Sequence, residues 1–160
     1  MAEINVQEIL NLFQKIGVNP HYEPLHKEFE TKHFPADVQE YLNIMSDHVS
    51  FHVTPSGTAL TYLMSQREII SEYQCEENLP IIRNKCLIIG SCANGDYLCL
   101  DLETRLLVYV FHDILWEDPD EDFSEMCIRT DLTLHELLQM AINSRNYPYD
   151  AHAAEDYMNR

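Results

Sequence analysis

The hydrophobic residues of this chain follow two spacings, and the spacing nearest the N-terminus is that of a helix. Apolar residues recur every three to four positions over residues 6–16, and Gly17 follows where a helix would end. The same spacing returns after Pro35, a residue that suits the first turn of a helix. It returns again after residues 65–68 and 133–136, which both have the sequence of a capping box. The pattern therefore predicts four clear helices.

The alternation that is typical of strands begins after the second of these helices. Val49, Phe51 and Val53 alternate with polar residues, which predicts a half-buried strand. The Pro-Ser-Gly sequence at 55–57 predicts a turn, and residues 58–63 are a candidate for the next strand.

The clearest strand pattern lies between residues 84 and 113. An apolar run at 86–89 leads to Asn94-Gly95, a dipeptide that favours a tight hairpin because both residues tolerate positive φ. Residues 97–102 and 106–112 are the next two predicted strands, and the last is apolar almost throughout, as expected for a strand covered on both faces. We predict an α+β fold in which a mainly antiparallel central sheet, with a meander near 84–113, is flanked by helices.

The length of the chain fits one domain. A chain of 160 residues and 18.7 kDa can bury about 70% of its unfolded surface, enough for a core without disulfides or metals. No repeat or low-complexity linker marks a boundary. We predict a single domain over 1–160, in which 146–160 form a C-terminal tail with a short helix-like piece.

The charge balance narrows the range of partners. The chain has 27 Asp and Glu against 10 Lys and Arg, a formal net charge of −17. Such a surface repels phosphate groups, which argues against nucleic acids and anionic membranes as ligands. It attracts a basic protein and can speed its association. The alternative, that the acidity only keeps the chain soluble, stays open.

Other sequence features bear on location and cofactors. No run of 18 apolar residues could span a membrane, and the N-terminus lacks the basic and apolar stretches of a signal peptide. The five cysteines show no spacing typical of a zinc site. We therefore expect a cytoplasmic protein without a metal or other cofactor.

The candidate catalytic groups form weak sets. Asp96 and Asp101 lie on one predicted strand, where a separation of five places them on opposite faces, so they make a poor acid–base pair. Asp96 is interpreted as a turn residue. A nucleophile pair of Cys99 with His112 is disfavoured because burial in an apolar strand raises the pKa of a thiol.

The dipeptide His112-Asp113 closes the third predicted strand. In histidine-aspartate hydrolases such a dipeptide helps to bind a metal, but those sites also need further histidines and an aspartate, mostly on helices. Nothing in this sequence clearly completes the set. A metal-dependent hydrolase that uses His112 and Asp113 is therefore kept only as a minor alternative, and no catalytic residue is predicted.

The segment after this dipeptide combines one large aromatic residue with a run of carboxylates. Trp116 is the only tryptophan of the chain, and residues 117–122 read Glu-Asp-Pro-Asp-Glu-Asp. Charges this dense repel one another and stay solvated, which predicts an acidic loop. Trp116 has two interpretations, an anchor for a partner and a residue that closes the edge of the core.

Three blocks of sequence carry a resemblance to a known family. They are Glu28 with the Phe-Pro-Ala-Asp-Val-Gln-Glu-Tyr-Leu sequence at 34–42, the Gly-Ser-Cys-Ala-Asn-Gly-Asp hairpin within 88–102, and the strand at 108–113 that ends in His-Asp. This order of elements, with the final helix at 134–142, resembles the SUKH superfamily, which includes the fungal SMI/KNR cell-wall regulators and many bacterial immunity proteins. Phe34 departs from the usual leucine, and the glycine-rich loop after the second helix is reduced to residues 55–57.

The resemblance implies a non-enzymatic domain that binds a protein. The first expectation is an immunity protein that neutralises a cytotoxic effector, with basic nucleases as one class of toxin; the alternative is a regulatory adaptor or scaffold of the SMI/KNR type. Charge and placement then predict one partner surface. It comprises Asn94, Asp96, Asp101, Asp113, Trp116, Glu117, Asp118, Asp120, Glu121 and Asp122.

Overall fold

A computed structural model describes residues 2–52, 60–143 and 147–160, and in these ranges groups of helices alternate with groups of strands. The turn predicted at 55–57 lies outside the described residues. The helices are α1 (Val6–Lys15), α2 (Lys27–Glu30), α3 (Ala36–Ile44), α4 (Gln66–Tyr73), a short 3-10 helix (Glu76–Asn78), α5 (Leu79–Arg83), α6 (His112–Glu117), α7 (Phe123–Met126), α8 (Leu134–Asn143) and α9 (Ala151–Met158).

The described strands form one antiparallel sheet in which each strand pairs with the strand before it in the chain. This arrangement confirms the predicted α+β fold with a mainly antiparallel central sheet. The strands are β1 (Val49–His52), β2 (Leu60–Leu63), β3 (Cys86–Ser91), β4 (Tyr97–Asp101), β5 (Leu106–Val110) and β6 (Cys127–Thr133).

Local signals set the ends of the predicted helices. Gly17 follows α1 with a φ of 78°, a conformation that glycine adopts without strain. Both hydrogen bonds of the capping box at the start of α4 are present, from Glu68 N–H to the Ser65 hydroxyl and from Ser65 N–H to the Glu68 carboxylate. Thr133 and Glu136 make the same reciprocal pair before α8. The prediction of these helix starts is confirmed.

One prediction at the end of the meander is wrong, and one strand after it was missed. The third strand ends at Val110, and His112 is the first residue of α6 and not the last of a strand. Strand β6 was not predicted, although its residues alternate between buried and exposed. It pairs with β5, so that Val110 lies opposite Cys127.

The centre of the sheet is buried on both faces. Leu98, Cys99 and Leu100 in β4 have no exposed surface, and residues 107–110 of β5 are at most 1% exposed. Helices α4 and α5 pack against β3, while α9 packs against β5 and β6. The continuous apolar pattern of the third predicted strand is therefore explained by cover on both faces.

The C-terminal residues belong to this core. Tyr147, Ala151 and Ala154 are buried, and the Tyr109 hydroxyl on β5 donates to the Pro148 carbonyl at 2.6 Å. The predicted tail is thus packed on the sheet, and the helix-like piece within it is α9.

A mostly buried ion pair joins the start of α3 to the turn between β4 and β5. The Nε and Nη2 atoms of Arg105 donate to the two carboxylate oxygens of Asp37 at 2.8 and 3.1 Å. Asp37 also accepts the Ile4 N–H at 3.0 Å. Burial alone would raise the pKa of Asp37, but the bonds from Arg105 and Ile4 hold it below its ordinary value.

Candidate functional site

The candidate site is built on α6, and hydrogen bonds to Asp96 fix the start of this helix. One carboxylate oxygen of Asp96 accepts the His112 N–H at 3.2 Å and lies 2.7 Å from Nδ1 of the same residue. The other oxygen accepts the Asn94 amide at 2.8 Å and the Ala151 N–H at 3.0 Å. Asp96 thereby joins the β3–β4 turn, α6 and α9.

This position removes Asp96 from the predicted partner surface. The residue is 2% exposed, and its carboxylate is occupied by internal donors. Asp96 lies in the turn before β4. The prediction that it shares a strand with Asp101 is therefore wrong. Its interpretation as a turn residue is consistent with Asn94, whose side-chain oxygen accepts the Asp96 N–H at 3.0 Å.

Asp101 is also buried, so it does not form part of the predicted partner surface. It is 7% exposed and lies at the far end of β4, away from the turn that holds Asp96. Its carboxylate accepts the N–H groups of Glu103 and Thr104 at 2.8 and 3.0 Å and pairs with Arg129. Asp101 therefore shapes the β4–β5 turn and binds β6.

The hydrogen bonds to these buried carboxylates predict how stability depends on pH. Burial would raise the pKa of Asp96 and Asp101, yet the donors around each hold the pKa below its ordinary value, as for Asp37. Their contribution is complete above the unfolded pKa of about 3.9 and is lost as the pH falls through the lower folded values. We expect the urea midpoint, followed by Trp116 fluorescence, to be level from pH 7 to about 5 and to fall steeply below that.

Helix α6 presents His112, Asp113 and Trp116 together. Nε2 of His112 lies 2.8 Å from a carboxylate oxygen of Asp113, whose side chain is 76% exposed. The Trp116 ring packs edge-on against the His112 ring, with centroids 5.1 Å apart. Trp116 is 54% exposed, whereas its neighbour Leu115 is 1% exposed and closes the core. Trp116 therefore does not close the edge of the core.

A groove of about 600 Å³ lies beside Trp116. One wall comes from α6 and the loop after it, and the other comes from the 3-10 helix and α5. We call it the Trp116 groove; its lining residues are Glu76, Glu77, Leu79, Pro80, Arg83, Leu115, Trp116, Pro119 and Asp120.

The second wall was missed by sequence reasoning. Glu76, Glu77 and Pro80 mark a helix start in the sequence, since acidic residues and proline favour the first turn. That signal predicts a helix, but the approach of this helix to Trp116, some 40 residues later in the chain, depends on the packing of α5 against β3.

The acidic loop at 117–122 is exposed throughout, as predicted, although Glu117 is the last residue of α6. Its residues from 117 to 121 point to solvent, and Asp122 has a second role as the N-cap of α7. The Asp122 carboxylate accepts the Ser124 N–H at 2.9 Å, and the bonds from Ser124 lower its pKa. The structure therefore brings seven of the predicted residues together on one segment: Asp113, Trp116, Glu117, Asp118, Asp120, Glu121 and Asp122.

Metal and nucleophile chemistry find little support at this site. Within residues 2–52, 60–143 and 147–160, no group of three or more His, Cys, Asp or Glu side chains could hold a metal ion. Both ring nitrogens of His112 face carboxylates, and Cys99 is fully buried, which raises the pKa of its thiol well above the ordinary value.

Comparisons with protein-family models, with curated proteins and with solved structures gave no match to this chain. In the part of the chain that the structure describes, no helix combines the length and the apolar character required to cross a membrane.

Proposed function

We propose that this chain is a non-enzymatic, protein-binding domain of the immunity type, which neutralises a basic cytotoxic effector in the cytoplasm. The observation that carries the proposal is Trp116, an exposed aromatic residue that stands between a groove and a run of exposed carboxylates. Tryptophan is among the residues most enriched at interface hot spots, and Trp116 is more than half exposed.

The charge of the site supports a basic partner. The loop at 117–122 carries five carboxylates within six residues, and the net charge of the whole chain is −17. A nuclease needs a basic surface to hold its phosphate substrate, and an acidic inhibitor can cover that surface. The resemblance to SUKH immunity proteins supports the same assignment.

The test begins with capture of the tagged protein from its native lysate and elution along a salt gradient. A basic partner that salt releases would next be expressed with and without this chain, and rescue of growth would support the proposal. Recovery of envelope-synthesis proteins, with no toxicity to rescue, would favour the regulatory adaptor instead.

Charge reversal in the acidic loop gives the sharper prediction. Replacement of Asp118, Asp120 and Glu121 by lysine should weaken binding of the basic partner about tenfold or more and flatten its salt dependence. Asp122 is left unchanged because it caps α7. The matched control reverses three exposed carboxylates elsewhere, Glu3, Glu30 and Glu40.

Calorimetric titration at two salt concentrations would measure both effects. If the loop variant and the control variant lose affinity equally, general acidity explains the binding and the loop is not the contact surface.

A further inference from the structure

The Trp116 groove combines apolar surface with carboxylates, and one kind of side chain can bind to both. Leu79, Pro80 and Pro119 line it with apolar surface, and the Trp116 ring forms part of one wall. Carboxylates of Glu76, Glu77 and Asp120 lie in the same lining. An aliphatic stem that ends in a cation can cover the apolar surface and reach both the ring and the carboxylates.

We propose that the Trp116 groove receives an arginine side chain on a short segment of the basic partner. The proposal rests on the proposed function and names the part of the partner that the site recognises. A guanidinium is planar, stacks on aromatic rings and donates in pairs to carboxylates, so arginine fits this lining better than lysine does.

The charge of the lining sets the sign of the ligand. Three carboxylates oppose one guanidinium, that of Arg83, which leaves the lining with a net charge of −2. Within the described part of the chain, no ion pair joins Arg83 to Glu76, Glu77 or Asp120. Arg83 therefore does not neutralise these carboxylates by direct pairing, and its own positive charge repels a cation that approaches them.

A substitution of Arg83 tests the sign of the ligand's charge, because affinity should rise for a cation and fall for an anion. Its replacement by glutamine removes the one positive charge of the lining. A cationic ligand should then bind more tightly, whereas an anionic ligand should bind less tightly.

The probe is the blocked peptide acetyl-Ala-Arg-Ala-Arg-Ala-amide, and its partner control carries citrulline in place of arginine. Citrulline has nearly the same shape without the charge. Because Trp116 is the only tryptophan, its fluorescence reports binding at the groove directly. We expect the arginine peptide to bind about tenfold more tightly than the citrulline peptide at low salt.

Three variants complete the test by calorimetry at the same salt. Glu76→Gln with Glu77→Gln should weaken the arginine peptide about fivefold, while the matched pair Glu30→Gln with Glu40→Gln leaves it unchanged. R83Q should tighten it about twofold. W116A should abolish most of the binding, and W116F, which keeps an aromatic face, should retain part of it.

Several results would overturn the inference. Equal binding of the two peptides would indicate an apolar occupant, and weaker binding by R83Q would indicate an anionic one. A concentration-dependent dimer that W116A dissolves in sedimentation experiments would assign the groove to a second copy of the chain. If both peptides fail while the loop reversal still weakens the native partner, the inference falls and the proposed function stands. If the arginine peptide behaves as expected but no toxicity is rescued, the inference about the groove stands and the proposed immunity function falls.

Discussion

Replacing Asp96 by alanine should lower the free energy of unfolding by about 3–5 kcal/mol, because it leaves buried donors without an acceptor. Asp96 accepts hydrogen bonds from the Asn94 side-chain amide and from the backbone N–H groups of His112 and Ala151. The change would also loosen three elements at once, since the β3–β4 turn, α6 and α9 meet at this carboxylate.

Urea unfolding followed by Trp116 fluorescence would measure the loss. The control is Asp113→Ala, because Asp113 contacts the same histidine from the solvent side with a 76% exposed side chain. Exposed pairs of this kind contribute about 1 kcal/mol or less. Comparable losses from D96A and D113A would show that the buried bonds to Asp96 do not hold the site together.

Replacing Gly90 by alanine should cost about 2–3 kcal/mol, because the new methyl group has no room. A Cβ at this position would lie 2.6 Å from the Tyr62 carbonyl oxygen on β2 and 3.3 Å from Cβ of Leu98 on β4. Both neighbours belong to the sheet, so they cannot turn aside as a flexible side chain would. Gly90 also lies at the irregularity in the pairing of β3 with β4.

The control separates space from backbone conformation. Gly17 has a positive φ of 78° but no atom within 4 Å of an added Cβ, so Gly17→Ala should cost only about 1 kcal/mol, from the strained φ. Thermal unfolding of both variants would rank them. A smaller loss for G90A than for G17A would mean that strands β2 and β3 separate easily at this point.

Helices α1, α3, α4 and α8 and the meander were predictable because their signals are local. The capping boxes before α4 and α8 and the apolar spacing of α1 require only neighbouring residues. The boundary at His112 was not predictable in the same way, because the apolar run of β5 continues to Phe111 without a break. The strand stops there because Asp96, 16 residues earlier, accepts the His112 N–H and starts a helix.

In the candidate site too, the features set by neighbouring residues were predictable, and those set by tertiary packing were not. The exposed carboxylates at 117–122 follow from their density, which solvent alone can satisfy. Asp96 and Asp101 are also carboxylates but are buried, because donors from their own turns and from distant elements surround them. The wall of the groove formed by α5 was missed for a related reason, since only tertiary packing brings it to Trp116.

The order of the sheet also bears on how the chain acquires its structure during synthesis. Each strand can join the one already made, so most pairings close loops of modest length and the entropic cost of each step is small. The contact between Asp96 and Ala151 is different, because it spans 55 residues and needs nearly the whole chain. On the ribosome, the meander can form early, but the base of the Trp116 site stays open until the last helix has been released.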